Sequence, residues 1–162
     1  MAVNYMIRYL KGVAQRRTTL DHPDRLAACT RQMASIGDRI PDKVLHRALA
    51  GEARIAERVN RIFETHDVVL TPGAVQEPLR VGAVTNRDAA RTLFASGRKI
   101  PNFAPWNCIG QPAVSVPAGF SSLGLPLSIQ LAGRPNDEAT LLSLSTQLES
   151  AQPWADRIPN TP

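Results

Sequence analysis

The sequence predicts a layered α/β fold in which helices pack against a β-sheet, and three observations carry that expectation. Apolar residues recur at helical spacing through most of residues 1–66. A run of consecutive apolar residues, Val68-Val69-Leu70, follows directly and closes on Thr71-Pro72-Gly73. Two further short apolar runs, 114–117 and 127–131, precede a last amphipathic stretch. A helix that feeds a strand apolar on both faces belongs to layered α/β packing.

Taken in order, Met6, Leu10 and Val13 recur every three or four residues and predict a helix over residues 4–16. Asp21-His22-Pro23 interrupts it. Pro23, with its fixed φ, suits the first turn of a second helix that runs to residue 36 and stops at Gly37, with Leu26 and Met33 facing inward. Pro41 opens the longest predicted helix, 42–65. Its stripe of Leu45, Leu49, Ala56, Val59 and Phe63 keeps helical period across Gly51, and Glu57 and Arg61 pair on the exposed side.

The first strand, at residues 68–70, reads as buried on both faces, and 73–86 has no clear period and reads as a loop. A helix over 87–96 ends at Gly97. A short one over 101–109 has Pro101 in its first turn and Phe103, Trp106 and Ile109 on one side. The runs 114–117 and 127–131 are strands, joined by a glycine-containing connection suited to hairpin-like pairing, and their apolar character suggests central positions. Asn136-Asp137 is positioned to cap a final helix whose inner face is Leu141, Leu144 and Leu148. The chain is expected to be one unit over 1–162: mainly helical in 1–66, strands and helices in 67–152, and an extended tail in 153–162.

Composition narrows the class. Apolar residues make up 43% and charged residues 20%, which fits a globular domain and neither a disordered nor a fibrous chain. No apolar run is long enough to span a bilayer, and residues 1–17 lack an apolar signal-peptide core, so the expectation is a cytoplasmic chain with no membrane partner. Cys29 and Cys108 stand far apart without CxxC or CxxH neighbours and suggest two free thiols. The formal charge of +5 permits nucleic-acid binding. However, the basic residues are interspersed with acids and aromatics are only 5%, so Arg47, Arg54, Arg58 and Arg61 read first as a solvated or docking helix face. Three strands are fewer than the five or six of an average sheet, which suggests part of a larger one.

Residues that imitate a catalytic centre are weak in context. Ser121-Ser122, before Gly124, lies between two strands with no glycine pair ahead of it and reads as a polar turn. Lys11, Lys43 and Lys99 read as solvated, since none lies in the apolar surroundings that would activate an amine. His22, His46 and His66 are scattered over separate elements, and Asp137-Glu138 sits where capping explains it. Asn107, ahead of a glycine turn, is suited to bonding local backbone.

Five ordered pieces carry a family resemblance. They are the approach Arg25-Leu26, Thr30-Arg31 and Arg39-Ile40-Pro41; the strand Asp67-Val68-Val69-Leu70-Thr71-Pro72; the block 105–119 containing Gly110-Gln111-Pro112-Ala113; Gly124 to Gly133; and 134–142, closing with Pro153-Trp154-Ala155-Asp156. In this order they resemble the C-terminal third of amidase-signature-family hydrolases. The resemblance implies that the strands here belong to a larger mixed β-sheet with flanking helices, and that carbon–nitrogen bonds are hydrolysed by a Ser–cis-Ser–Lys triad without metal or organic cofactor. A serine nucleophile needs a base and oxyanion donors, and no Gly-Gly-Ser-Ser-type loop occurs in the chain. The resemblance therefore implies no catalytic residue here, and a contribution to the substrate pocket from Ile100, Phe103, Ala104 and Trp106. Three roles stay open: a part that is inactive alone; a subunit of a split amidase or amidotransferase, joined by an N-terminal portion or by a second copy and acting on a small amide; and a basic RNA-interaction module.

Overall fold

The computed structural model describes residues 1–85 and 87–156. Seven α-helices and three strands succeed one another among them: α1 (Ala2–Arg17), α2 (Ala28–Asp38), α3 (Asp42–Ala50), α4 (Glu52–Asn60), β1 (Val68–Pro72), α5 (Ala89–Gly97), α6 (Ala104–Ile109), β2 (Ala113–Phe120), β3 (Pro126–Gly133) and α7 (Glu138–Ala151). Short 3-10 turns at Pro23–Arg25 and Arg61–Glu64 join the early helices. The expected α/β class holds.

The sheet is antiparallel throughout, in the order β1-β3-β2. The hairpin pairing of the last two strands holds, and β3 is central as expected, whereas β2 and β1 are the outer strands of the three. Register assigns the faces. Val68 and Leu70 stand opposite Gly133 and Leu131, and Val114 and Val116 opposite Leu131 and Ile129, so these side chains share one face. There Val116, Leu131 and Leu141 of α7 form a buried cluster joined by Val68, Val114, Ile129, Leu144 and Leu148. The other face carries Val69 and Ala132, on which Phe63, Trp106, Val59 and Ile109 pack.

Three departures from the sequence expectations have local causes. The long helix over 42–65 is broken into α3, α4 and a 3-10 turn. Asn4 of α1 donates to the carbonyl of Ala48 (2.5 Å), drawing the chain toward α1 beside Gly51, and Leu49, expected inside, lies exposed. The second helix begins at Ala28, with Pro23 in a separate 3-10 turn. Leu70 is 59% exposed, so β1 is not buried on both faces within this chain.

A second core lies among the helices, where Leu10, Met33 and Ala89 cluster with Met6, Val13, Ile40 and Leu93. Gly37 permits the close α1–α2 crossing: a Cβ there would lie 2.1 Å from the Leu10 carbonyl oxygen. Asp88 caps α5 through the amide of Arg91 (2.8 Å), and Gln32 of α2 accepts from the amide of Ala89 (2.9 Å), tying α5 to α2. The start of the expected tail is docked, because Trp154 packs against the α7 cluster. Residues 157–162 of that tail lie outside the described residues.

Candidate functional site

The segment from Ile100 to Cys108 is the one for which the family resemblance implies a pocket wall. α6 follows Phe103, its N-cap residue, with Pro105 in the first turn, and ends at Gly110, whose φ of 66° is left-handed and so favours glycine. The turn directs Gln111 back across the helix end. Its backbone amide donates to the Trp106 carbonyl (3.2 Å) and its side-chain amide donates to Asn60 Oδ1 at the end of α4. Gln111 is 9% exposed, and its own Oε1 is buried without a protein partner.

Two groups of α1 lie against the other side of this helix. Arg8 donates to the carbonyl of Cys108 and forms an ion pair with Glu52 of α4 (3.1 Å). Asn107, expected to bond local backbone, is exposed at the end of α6 beside Tyr5 of α1. Burial first, then the neighbouring Tyr9 and Cys108, pushes the Tyr5 phenol above its usual range. Burial likewise pushes the Cys108 thiol up, with the Arg8 charge opposing. A buried thiol held protonated is no nucleophile at neutral pH.

The four expected wall residues divide into two environments. Trp106 is 8% exposed and sits in the core beneath the sheet, its ring 6.4 Å from that of Phe63 and tilted by 51°. Ile100 is exposed, and Phe103 and Ala104 are half-buried. This outer part is fixed to the end of β1, where Asn102 Nδ2 donates to the Pro72 carbonyl (3.1 Å) and the amide of Val75 to that of Lys99 (2.9 Å). The same strand end carries Thr71, whose hydroxyl donates to Gln130 Oε1 at 3.4 Å.

Two open grooves lie elsewhere. One of about 640 Å³ runs between α1, α2 and α5, lined by Met6, Leu10, Ile36, Leu93 and Phe94 among others. The other, about 770 Å³, separates α7 from the start of β1 and is lined by His66, Asp67, Val68, Thr140, Ser143 and Gln147 among others.

The imitations of catalytic residues resolve structurally. Ser121 Oγ accepts from the amides of Leu123 (3.2 Å) and Leu125 (3.3 Å), closing the β2–β3 turn. Asp137 caps α7, accepting from the Thr140 hydroxyl at 2.8 Å and its amide at 3.4 Å. Lys11 departs from expectation: its side chain is only 14% exposed, bonded to the Ile40 carbonyl (2.9 Å) and paired with Asp42 (2.9 Å). That ammonium holds the Asp42 carboxyl below its ordinary range. Sequence reasoning missed Arg134, which clamps the sheet to the helices. Its guanidinium donates to the carbonyls of Phe63 (3.2 Å) and His66 (3.4 Å) and to Asp67 Oδ1 (2.9 Å). A cation at a helix C-terminal end is favoured by the exposed carbonyls there, but a lone Arg after a strand announces no such target.

The fold agrees with comparison to known proteins. The sequence model of the Amidase family matches residues 12–142, and the chain belongs to that family. It is 45% identical over 157 residues to the putative amidase AmiB2 of Mycobacterium tuberculosis (strain ATCC 25618 / H37Rv), which covers 97% of this chain and 34% of that protein. It is 34% identical over 130 residues to a 6-aminohexanoate-cyclic-dimer hydrolase of Pseudomonas sp. (strain NK87), covering 73% of this chain and 26% of the relative. The solved structure of a 6-aminohexanoate cyclic dimer hydrolase superposes with a TM-score of 0.80 at 23% identity, over 96% of this chain and 36% of that one. The chain thus spans about a third of the length of the curated mycobacterial relatives it matches. Among the described residues no helix is long and apolar enough to cross a membrane.

Proposed function

We propose that this chain is the C-terminal part of an amide hydrolase, which completes the sheet and supplies one wall of the substrate pocket but does not cleave amides alone. The observation that carries the reading is the state of the one serine pair in the chain: Ser121 Oγ is engaged by two backbone amides of a turn. The family match and the one-third coverage of its relatives support the same reading. The serine, its lysine base and the oxyanion donors then come from the complementary part of the enzyme. Ile100, Phe103 and Ala104 form the face of the wall and Trp106 its backing. An apolar surface with few polar groups suits the acyl or side-chain portion of a small amide.

The test is hydrolysis of a panel of simple aliphatic and aryl amides by the purified chain, alone and mixed with the segment of the mycobacterial relative that it does not match. No turnover alone and turnover on mixing is the expected result. Turnover by the chain alone that disappears in Ser121→Ala would refute the reading.

A further inference from the structure

We infer that the outward side of α3 and α4 is a binding surface for the phosphate backbone of duplex nucleic acid, met through charge and without regard to base sequence. All five Lys and Arg residues between Asp42 and Arg61 fall on one ladder of three- and four-residue steps: Lys43, Arg47, the small rung Ala50, Arg54, Arg58 and Arg61. Residues so spaced stack on one side of a helix. The break between the two helices keeps the alignment, because Gly51 itself holds right-handed helical angles (φ −77°, ψ −10°). Every rung is exposed, while the buried Ala48 and the half-buried Leu45, Ile55, Ala56 and Val59 take the opposite side. At 1.5 Å per residue the ladder is about 27 Å long.

The fold leaves these cations without the partners it gives to others. Arg8, Lys11, Arg17, Arg91 and Arg134 each form an ion pair with a carboxylate. On the ladder only Arg61 does so among the described residues, with Glu57 at 3.9 Å, and the two side chains are 70% and 74% exposed. The other acids of this stretch are drawn to α1, where Asp42 meets Lys11 (2.9 Å) and Glu52 meets Arg8 (3.1 Å). Like charges at helical spacing repel one another, and an anionic partner of matching length relieves that repulsion.

The surroundings of the ladder select among anionic partners. A helix that binds a membrane surface turns its apolar face to the lipid, and here that face is packed inward, against α1 and α6. A protein interface centres on an aromatic or aliphatic anchor, whereas the middle rung is Ala50 and no Phe, Tyr or Trp occurs between Asp42 and Arg61. Without exposed rings there is also no stacking platform for single strands. A duplex backbone asks only for cations in a row, since each strand presents a phosphate about every 3.4 Å along the axis. Arginine, which supplies four of the five, suits phosphate through its planar fork of donors. No Asn or Gln stands on the ladder to read base edges.

The experiment follows the fluorescence anisotropy of short labelled DNA and RNA duplexes of unrelated sequence as the purified chain is added, over a range of salt. Both duplexes should bind at about 50 mM salt, with log affinity falling against log salt at a slope of about −4, near 0.9 for each phosphate met. The triple variant Arg54→Gln, Arg58→Gln, Arg61→Gln keeps helix propensity at exposed positions; it should bind about tenfold or more weakly and flatten the slope by about 3. The control Arg16→Gln, Arg25→Gln, Arg80→Gln removes the same charge from exposed positions off the ladder and should stay within about threefold, because salt screens distant charges. Equal losses in the two variants would reduce the binding to net charge and overturn the assignment. So would binding of one duplex only, tighter capture by anionic phospholipid vesicles than by either duplex, or no binding at about 50 mM salt. None of these readouts depends on amide turnover, so the proposed function is tested separately.

Discussion

Replacing Trp106 by alanine asks whether the indole is core or pocket lining. In the structure it is 8% exposed and lies between Phe63, itself 6% exposed, and Ala132, which is fully buried in the central strand. The walls of that site are a β-sheet on one side and the α4 end on the other, held by Gln111, Asn60 and Arg134. Such walls cannot collapse into the space left behind. Truncation of a buried aromatic in these conditions costs about 3–5 kcal/mol, the lost transfer energy plus the cavity. Domains typically have about 5–15 kcal/mol in total, so the variant should lie near the limit of folding. For a chain of this length each kcal/mol shifts the melting temperature by about 2–4 °C, giving a fall of about 6–20 °C in thermal unfolding followed by circular dichroism. Trp106→Phe should recover part of that loss, since a ring remains to meet Phe63 and such pairs contribute about 0.5–1.5 kcal/mol beyond burial. A Trp106→Ala chain within about 0.5 kcal/mol of the parent, the range of surface substitutions, would refute the placement of the indole in the core.

Two more outcomes are expected. Cys108 is 1% exposed with its thiol pushed up by burial, whereas Cys29 is half-exposed; a thiol-reactive chromogenic reagent should label Cys29 in the folded chain and Cys108 only on unfolding, and prompt labelling of both would contradict the structure. Lys11 holds the Asp42 carboxyl below its ordinary value, so the folded state binds that proton less readily than the unfolded one. The pair therefore stabilises the fold above the unfolded carboxylate value of about 3.9, and that contribution is lost as pH falls through the lowered folded value. In an NMR titration Lys11→Met should return Asp42 to the ordinary range, and an unchanged midpoint would show that the pair does not form in solution.

The elements were legible where one local pattern decided them. Met6, Leu10 and Val13 gave α1, and the apolar runs 114–117 and 127–131 gave β2 and β3, although of these two only β3 takes the expected central position. The break at Gly51 was not legible, because its cause is a side chain of another helix, Asn4, reaching the Ala48 carbonyl. Exposure of Leu70 was hidden for a similar reason: the run Val68-Val69-Leu70 encodes a buried strand, and the chain alone does not bury it. At the candidate site, the apolar character of Ile100, Phe103 and Trp106 was plain in sequence. What the sequence could not separate was Trp106, turned into the core, from Ile100 and Phe103, which lie outside it. Lys11 was misread as solvated because its partners, the Ile40 carbonyl and Asp42, arrive from a different part of the chain.

The motifs that identify the family in this chain prove to be joints. Gly110-Gln111-Pro112 turns the chain from α6 into β2; Gln111 reaches Asn60, and the Pro112 carbonyl accepts from the amide of Gly133 (3.0 Å). Arg134 ties the end of β3 to the Phe63 and His66 carbonyls and to Asp67 at the approach to β1. The Pro72 carbonyl, at the end of β1, receives Asn102 from the segment before α6. These joints fasten strand ends to segments far away in sequence; at the buried Gln111 an unpaired polar group would cost about 1–3 kcal/mol, whereas the Asn102 and Asp67 bonds lie at the surface. Geometry of that kind restricts residue choice as tightly as catalysis does, and a resemblance carried by such residues therefore defines the fold. Chemistry requires a different observation, an activated nucleophile within reach of a base and oxyanion donors, and the serine that comes nearest to it here, Ser121, is spent on a turn.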